Sequence, residues 1–319
     1  MDAVSGAEPV PASSDASFRR YFRLRKEDKS FIAMDAPPEQ EECLPFVTIA
    51  GYLEAMQLAA PRVVEADLEK GFLLLTDLGS EQYLKRLQRR PALAESMYHD
   101  ATDALLSMQK KGVAFQGLLP PYDEALLRFE LSLFRDWLCG THMEFLFSAA
   151  DETHWQTCCD LLVANAILQP KVFVHRDYHS RNLMVLKQDN PGILDFQDAV
   201  EGPLTYDLVS LLKDCYVNWP ANKVREWALN FYARLGEETR TLIDEKRFLR
   251  HFELMGVHRH LKAAGIFCRL RHRDGKAAYL ADVPRTLEYI LEIGPRYPEL
   301  RFLTRLIDQQ ILPGWDADA

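Results

Sequence analysis

The spacing of hydrophobic positions divides the chain into a strand-rich first part and a helix-rich remainder. Short apolar runs predict strands at residues 18–24, 31–35, 61–65 and 72–76. One amphipathic helix is predicted over residues 39–58, and from Pro91 onward apolar residues recur every three to four positions, which indicates a succession of helices. We therefore expect an α+β fold with a small β-rich lobe over residues 1–79 and a larger, mostly helical lobe over residues 80–319.

The stretch from residue 171 to residue 198 interrupts the helices with short apolar runs. The runs predict strands at residues 172–174, 183–186 and 193–194, with a turn before the last. Asp177 and Asn182 lie five positions apart in the first loop, and Asp195 follows the last strand. Because the last two strands form a hairpin, we expect it to fold Asp195 back beside the other two side chains.

Two carboxylates and an amide around one point fit the transfer of a phosphoryl group from ATP. The protein-kinase signature is H-R-D, four residues and Asn, followed by D-F-G. Here His175-Arg176-Asp177 precedes Asn182 by the same spacing, and Asp195-Phe196-Gln197 follows. Asp177 is the expected base, while Asn182 and Asp195 are the expected Mg²⁺ ligands. Turn chemistry would explain each residue singly but not their joint spacing.

Another interpretation of the same loop is a metal cluster of a hydrolase. His175, Asp177 and His179 form an H-x-D-x-H pattern, and imidazole and carboxylate groups are common metal ligands. Such a cluster needs further ligands downstream, and the kinase spacing explains Asp195 better.

Composition and charge argue against several other classes of function. Acidic residues outnumber basic ones by 47 to 38, giving a formal charge of -9, so a nucleic-acid surface is disfavoured. The six cysteines show no paired metal spacing and mostly occupy apolar helical positions, which indicates reduced, buried thiols. The start lacks a signal-peptide pattern, and no apolar stretch approaches membrane-spanning length. We expect a cytosolic monomer with a small-molecule partner.

Two segments of the small lobe are candidates for nucleotide binding. After a flexible leader rich in Ala, Ser and Pro, the small residues that end at Ser17 predict a turn whose backbone amides approach phosphates; an ordinary loop is the alternative, because the turn has no glycine. Thr76, Asp77 and Leu78 end an apolar strand where the chain passes between the lobes. An adenine ring commonly binds such a strap through backbone groups.

The strand lysine that protein kinases use to neutralise the phosphates is missing. In the V-A-I-K pattern the lysine lies two residues after the alanine, and here Asp35 occupies that place after Ala33. Strand alternation from residue 18 puts Arg20 on the apolar face and Arg19 on the other. We expect Arg20 to reach the phosphates, with Asp35 as a candidate to hold it, and Arg19 to be solvated; the alternative is an ion pair of Arg20 with Asp35 that has only a structural role.

The basic tract between residues 258 and 273 offers candidate contacts for the acceptor. Arg259 and Lys262 lie three apart and therefore on one helix face, although a solvated helix face is the alternative for the whole tract. We also expect His179 and Arg181, which follow the base in its loop, to contact the acceptor.

The loop HRDYHSRN, with a second histidine two residues past the base, resembles the aminoglycoside phosphotransferase and choline kinase superfamily. The later LDF, GP and YDL motifs are similar to the same superfamily, and the missing A-P-E segment favours a small-molecule acceptor. The segments SFRRYFRL, MDAPPE, LDFQDAVEGPLTYDLVSLL and HLKAAGIFCRL resemble more narrowly the anomeric N-acetylmuramate and N-acetylglucosamine kinases of bacterial cell-wall recycling.

The resemblance implies a bilobal protein-kinase-like fold and an ATP-dependent, Mg²⁺-dependent sugar kinase. The product would be the α-1-phosphate of a free N-acetyl amino sugar. It also implies a structural role for Asp207, as a brace of the catalytic loop or a helix cap. Alternatives are an aminoglycoside, choline or homoserine kinase, or a catalytically silent binding protein, against which the intact Asp177, Asn182 and Asp195 argue.

Overall fold

The structure is a computed structural model and describes residues 6–14, 18–27 and 29–316. The strands within these residues are β1 (Val10–Ser14), β2 (Arg20–Lys26), β3 (Lys29–Asp35), β4 (Val63–Asp67), β5 (Phe72–Thr76), β6 (Lys171–Val174), β7 (Leu183–Met184), β8 (Gly192–Ile193) and β9 (Val200–Pro203). The α-helices are α1 (Leu44–Ala55), α2 (Tyr83–Arg89), α3 (Ala94–Gly112), α4 (Glu124–Leu133), α5 (Ala149–Ile167), α6 (Tyr206–Leu212), α7 (Ala221–Ala233), α8 (Glu237–Leu242), α9 (Glu245–Asp274), α10 (Val283–Ile293) and α11 (Arg301–Leu306). A sheet-rich beginning and a mostly helical remainder confirm the α+β class.

The first five strands form one antiparallel sheet in the order β1-β2-β3-β5-β4. Four of them match the predicted strands, whereas the prediction of a flexible leader is wrong for β1, where Val10 pairs with Arg23. This strand lies at the sheet edge, the position that tolerates Pro11, whose ring nitrogen cannot donate a ladder hydrogen bond. Its Ala, Ser and Pro content shows no alternation and therefore no strand signal.

The helix after β3 is shorter than predicted, because the residues after Pro38 first form a turn. The amides of Gln40 and Glu41 both bond to the Pro37 carbonyl at 2.9 Å, and α1 begins only at Leu44. Its buried side chains include Phe46, whose ring lies 4.7 Å from the ring of Phe196.

The backbone groups into two compact units. One comprises Met1–Leu119 with His175–Ala199, and the other comprises Pro120–Val174 with Val200–Ala319. The five-stranded sheet therefore belongs to the same unit as Asp177, Asn182 and Asp195, whereas β6 belongs to the other unit. The predicted lobe boundary after residue 79 stays a prediction.

The second unit is built around α9, a helix of 30 residues that is buried along most of its length. Asp244 caps its start by accepting a hydrogen bond from the Arg247 amide at 2.8 Å, and Gly275 ends it with a φ of 70°. Gly265 lets α9 approach the end of α4 closely, because a Cβ at this position would lie 2.3 Å from the carbonyl carbon of Leu133.

All six cysteines are free and buried, which confirms the interpretation of unpaired small apolar residues. Within the described residues, no helix combines the length and apolarity that crossing a bilayer requires.

Candidate active site

The loop that follows β6 is anchored by the side chains of His175 and Tyr178. His175 is fully buried, and this burial lowers its pKa to about 4, so the imidazole is neutral. Its Nδ1 accepts a hydrogen bond from the Asp177 amide at 3.2 Å. The neighbouring Tyr178 hydroxyl donates to the Ala101 carbonyl of α3 at 2.8 Å. These contacts fix the backbone on both sides of Asp177, the predicted base.

Asn182 joins the two carboxylate residues. Its Nδ2 donates to the backbone carbonyl of Asp177 and to Oδ2 of Asp195, both at 3.1 Å. The paired strands β7 and β8 produce this arrangement, since Leu194 N also bonds to Asn182 O at 2.9 Å. The expected proximity is confirmed, while the catalytic roles of the three residues stay predictions.

Two residues of the site have left-handed backbone conformations. Asp195 has a φ of 62°, which aspartate tolerates, and Arg176 has a φ of 77°, which is rare for a long side chain. Residues held in such conformations cluster at functional sites, because the surrounding structure must enforce them.

The oxygen atoms around Asp195 suit a hard divalent cation. Mg²⁺ in nucleotide sites is held by one or two carboxylates and by the substrate phosphates. Asp195 supplies one carboxylate, with Oδ1 positioned by Gln197 Nε2 at 2.9 Å. Asn182, whose Nδ2 donates to Oδ2 of Asp195, carries an amide oxygen on the same side-chain group. The donor set therefore fits magnesium.

The structure does not support the hydrolase cluster. The Nδ1 atom of His175 is engaged by the loop backbone, and the described residues contain no group of three His, Cys, Asp or Glu side chains that could hold a metal.

Arg19 is the arginine that interacts electrostatically with Asp195, one of the predicted metal ligands. Its guanidinium lies 2.9 Å from Oε2 of Glu41, and the two side chains are only 9% and 11% exposed. Glu41 is fixed in turn by the Phe18 amide at 3.0 Å. Burial alone would lower the pKa of Arg19, but Tyr21, Glu41 and Asp195 outweigh it and the pKa is raised. Arg19 is thus a buried cation within electrostatic reach of Asp195.

The expected orientation of Arg20 is wrong. Its side chain is 64% exposed and pairs with Asp35. The ion pair fits both the structural alternative and an Arg20 held by Asp35, so the nucleotide role of Arg20 stays a prediction. Arg20 shares a face of β2 with the buried Leu24, but it is the first residue of the strand and its side chain is exposed there. Phe18 and Arg19 precede the strand, so the two-residue period does not apply to them, and the expectation of a solvated Arg19 is wrong as well. Phe18, taken as part of the apolar face, is 61% exposed.

The strap after β5, residues 76–78, is hydrogen-bonded to strands β2 and β3 through Asp77. Asp77 accepts from Arg23 Nε at 2.6 Å and Nη2 at 3.0 Å, and from Ser30 Oγ at 2.6 Å. Burial would raise the pKa of Asp77, but these hydrogen bonds and the Gly79 amide lower it. The Thr76 hydroxyl accepts from the Arg62 amide at 2.9 Å. The side chains are thus used structurally, and a nucleotide role of the strap stays a prediction.

Leu78 and Ser17 are also predicted to contact the nucleotide. Leu78 lies against the strand that leads to Asp195, since a Cβ at Gly192 would meet its Cδ1 at 2.9 Å. Ser17 lies outside the described residues.

The predicted acceptor residues fall in two places. His179 and Arg181 lie in the catalytic loop, His179 buried and Arg181 half-buried. Lys262 is buried on α9, 2.9 Å from Glu130 Oε1 and 2.9 Å from the Tyr206 hydroxyl. These contacts already compensate its charge.

The solvated-face alternative is wrong for the first part of the basic tract. His258, Arg259, His260 and Lys262 are all buried, and Arg259 contacts the Cys215 sulfur at 3.7 Å. Asp207 is also fully buried. The functional roles of Arg259, Lys262 and Asp207 stay predictions.

Sequence reasoning missed two groups. The Arg19–Glu41 pair could have been found from the acidic segment before α1, which offers a partner to a cation. Lys213, a buried lysine directly after α6, is signalled by its place behind the uniformly buried run YDLVSLL.

Residues 8–252 match the phosphotransferase enzyme family. Together with the arrangement of Asp177, Asn182 and Asp195, this match means that the chain belongs to that family, and the resemblance noted in its motifs is confirmed.

Two proteins that are similar to this chain over most of its length carry the same name. The N-acetylmuramate/N-acetylglucosamine kinase of Pseudomonas aeruginosa is 50% identical, over 95% of this chain and 89% of its own length. The protein of the same name in Neisseria meningitidis is 38% identical, over 93% and 88%.

Solved structures support the protein-kinase-like fold. A choline kinase from Streptococcus pneumoniae matches with a TM-score of 0.63 at 10% identity, over 91% of this chain and 96% of that one. An ADP-bound aminoglycoside phosphotransferase matches with a TM-score of 0.57 at 14% identity, over 90% and 94%.

Proposed function

We propose that this protein transfers the γ-phosphoryl group of ATP to the anomeric hydroxyl of N-acetylmuramate and N-acetylglucosamine. The observation that carries the proposal is the Asn182 amide, which bonds to both Asp177 and Asp195 at 3.1 Å. The names of the relatives at 50% and 38% identity supply the acceptor. Because ATP is the proposed phosphoryl donor, we also propose that the protein acts in the cytoplasm.

In the proposed reaction Asp177 orients the sugar hydroxyl and accepts its proton. A positioned general base contributes roughly 10²- to 10⁴-fold to the rate. Asp195 and Asn182 would hold Mg²⁺, which neutralises charge on the phosphates when bound. The backbone bonds of His175 and Tyr178 keep the base loop in place.

Arg19 takes the part of the missing strand lysine in this proposal. In protein kinases the phosphate-binding lysine is held by a glutamate of the helix that follows the third strand. Glu41 lies just before α1, which follows β3, and holds Arg19 at 2.9 Å. Asp195 is among the charges that raise the pKa of Arg19, and this interaction supports a position near the proposed metal and phosphates.

A substrate panel tests the proposal. Purified protein with ATP and Mg²⁺ is offered N-acetylmuramate, N-acetylglucosamine, an aminoglycoside, choline and homoserine, and ADP formation is measured. We expect turnover with the two amino sugars and none in the Asp177→Asn control. Preferred turnover of choline, homoserine or the aminoglycoside would contradict the sugar assignment, and ATP binding without turnover of any acceptor would indicate the silent alternative.

A further inference from the structure

Lys213 is a buried lysine whose ammonium has no acceptor within the described part of the chain. It directly follows α6, is only 5% exposed, and no hydrogen bond or ion pair of its Nζ joins it to another described residue. Its Nζ lies over the ring of Phe252, 5.3 Å from the ring centroid. A cation–π contact of this kind compensates only part of the cost of removing an ammonium from water.

The lysine lines a cavity of about 190 Å³ in the second unit, which is open to solvent where Arg225, Glu292 and Arg296 line it. Its walls include the apolar or aromatic side chains of Trp219, Val224, Leu249, Phe252 and Ile293. A protein cavity of about 150 Å³ can hold benzene, so this space admits a small organic molecule or a substituent of that size but not a whole sugar.

The side chains that line the cavity have a net formal charge of +1. Three cations, Lys213, Arg225 and Arg296, and two carboxylates, Glu253 and Glu292, line it. Glu253 is already engaged by Arg296 and by the Tyr297 hydroxyl, the latter at 2.8 Å. Burial lowers the pKa of Lys213 to about 8, only partly offset by Glu292 and Glu253. The lysine is thus still protonated at neutral pH.

We propose that this cavity is a binding site for a small monocarboxylate whose carboxylate pairs with Lys213 and whose short carbon chain meets the apolar walls. A monoanion balances the excess charge, whereas a doubly charged phosphate would face the two nearby carboxylates with too little compensation. The size of the cavity fits an acid of three or four carbons, such as lactate.

The carboxylate has two chemical sources. It is either a free short-chain acid or the lactyl carboxylate carried by N-acetylmuramate and absent from N-acetylglucosamine. The second source rests on the proposed function, and the first does not.

Two measurements on the full-length protein test the site. L-Lactate and D-lactate are titrated by calorimetry and by tryptophan fluorescence, because Trp219 lines the cavity, with chloride at equal ionic strength as the blank. KM is then measured for both amino sugars. The variant is Lys213→Met, which keeps the length of the side chain and removes the charge. The matched control is Lys223→Met, because Lys223 is paired with Glu226 and does not line the cavity.

We expect Lys213→Met to melt at the same or a higher temperature than the wild type, since an uncompensated buried charge is removed. Lactate binding should weaken roughly 10-fold or more, the usual worth of a charge-assisted hydrogen bond, and Lys223→Met should bind as the wild type. A KM increase for N-acetylmuramate alone would identify the acceptor as the source, whereas unchanged KM values with lost lactate binding would identify a free acid.

The proposal is overturned if Lys213→Met changes neither lactate binding nor the KM for N-acetylmuramate. It is also overturned if Lys213→Met lowers the melting temperature while leaving lactate binding intact, because the lysine would then be structural. Should neither sugar be phosphorylated, the proposed function fails while the lactate titration still decides the site. If Lys213→Met does not fold, Trp219→Phe in the same titration tests whether the signal comes from this cavity.

Discussion

Replacing Arg19 should selectively weaken the binding of ATP phosphates. The comparison is with Arg20, an adjacent residue of the same type that is 64% exposed, whereas Arg19 is 9% exposed and held by Glu41. A hydrogen bond to a charged group contributes about 1.5–3 kcal/mol. Loss of that contact in Arg19→Ala should therefore raise the Kd for ATP roughly 10- to 150-fold.

The assay is calorimetric titration of Mg·ATP and, separately, of adenosine, which lacks all three phosphates. Arg19→Ala should lose ATP affinity and keep that for adenosine, because only the phosphates need the cation. Arg20→Ala should bind both ligands as the wild type does. Arg19→Lys should lie between them, since it keeps the charge but loses the planar fork.

Stability must be separated from binding in this experiment. Removing one partner of a buried ion pair costs about 3–5 kcal/mol of folding free energy, and Arg19→Ala leaves the Glu41 carboxylate behind. The double variant Arg19→Ala/Glu41→Gln removes that charge and should recover thermal stability without recovering ATP binding. A folded Arg19→Ala protein with wild-type ATP affinity, or an equal loss in Arg20→Ala, would refute the reasoning.

Further predictions concern the base, the metal ligand and the buried lysine. Asp177→Asn should lower kcat roughly 10²- to 10⁴-fold with unchanged ATP binding, and a loss below threefold would contradict a general base. Asp195→Asn, chosen because asparagine tolerates the φ of 62°, should abolish the Mg²⁺-dependent part of ATP affinity in calorimetry, and unchanged Mg·ATP affinity would contradict the ligand role. The pKa of Lys213 is lowered from 10.5 to about 8, so the unfolded state binds more protons between these values and stability should rise with pH there. Urea unfolding at pH 7.5 and pH 10 should therefore show the stability advantage of Lys213→Met shrinking at the higher pH, and a constant difference would contradict the assignment.

The catalytic stretch could be predicted because its information is local. Asp177, Asn182 and Asp195 are separated by short strands and a hairpin, so sequence spacing fixes their distances in space. The strands from β2 to β5 were likewise visible as apolar runs bounded by turns.

Features that depend on distant partners could not be read in this way. β1 forms because an edge of the sheet accepts it, and its own composition carries no strand pattern. The orientations of Arg19 and Arg20 are decided by Glu41 and Asp35, and by the residue at which β2 begins. The burial of Lys262 could not be predicted from its own helix, because it depends on Glu130, a buried carboxylate on another helix.

The position of the phosphate on the product tests the central claim most directly. After incubation with ATP, Mg²⁺ and N-acetylglucosamine or N-acetylmuramate, the product is analysed by proton and phosphorus NMR, with the methyl glycoside of each sugar as the matched substrate control. We expect the phosphorus to couple to the anomeric proton of an α-1-phosphate, the methyl glycosides to remain unreacted, and a sugar lacking only a distal hydroxyl still to react. A phosphate on any other oxygen, or turnover of a methyl glycoside, would contradict the account.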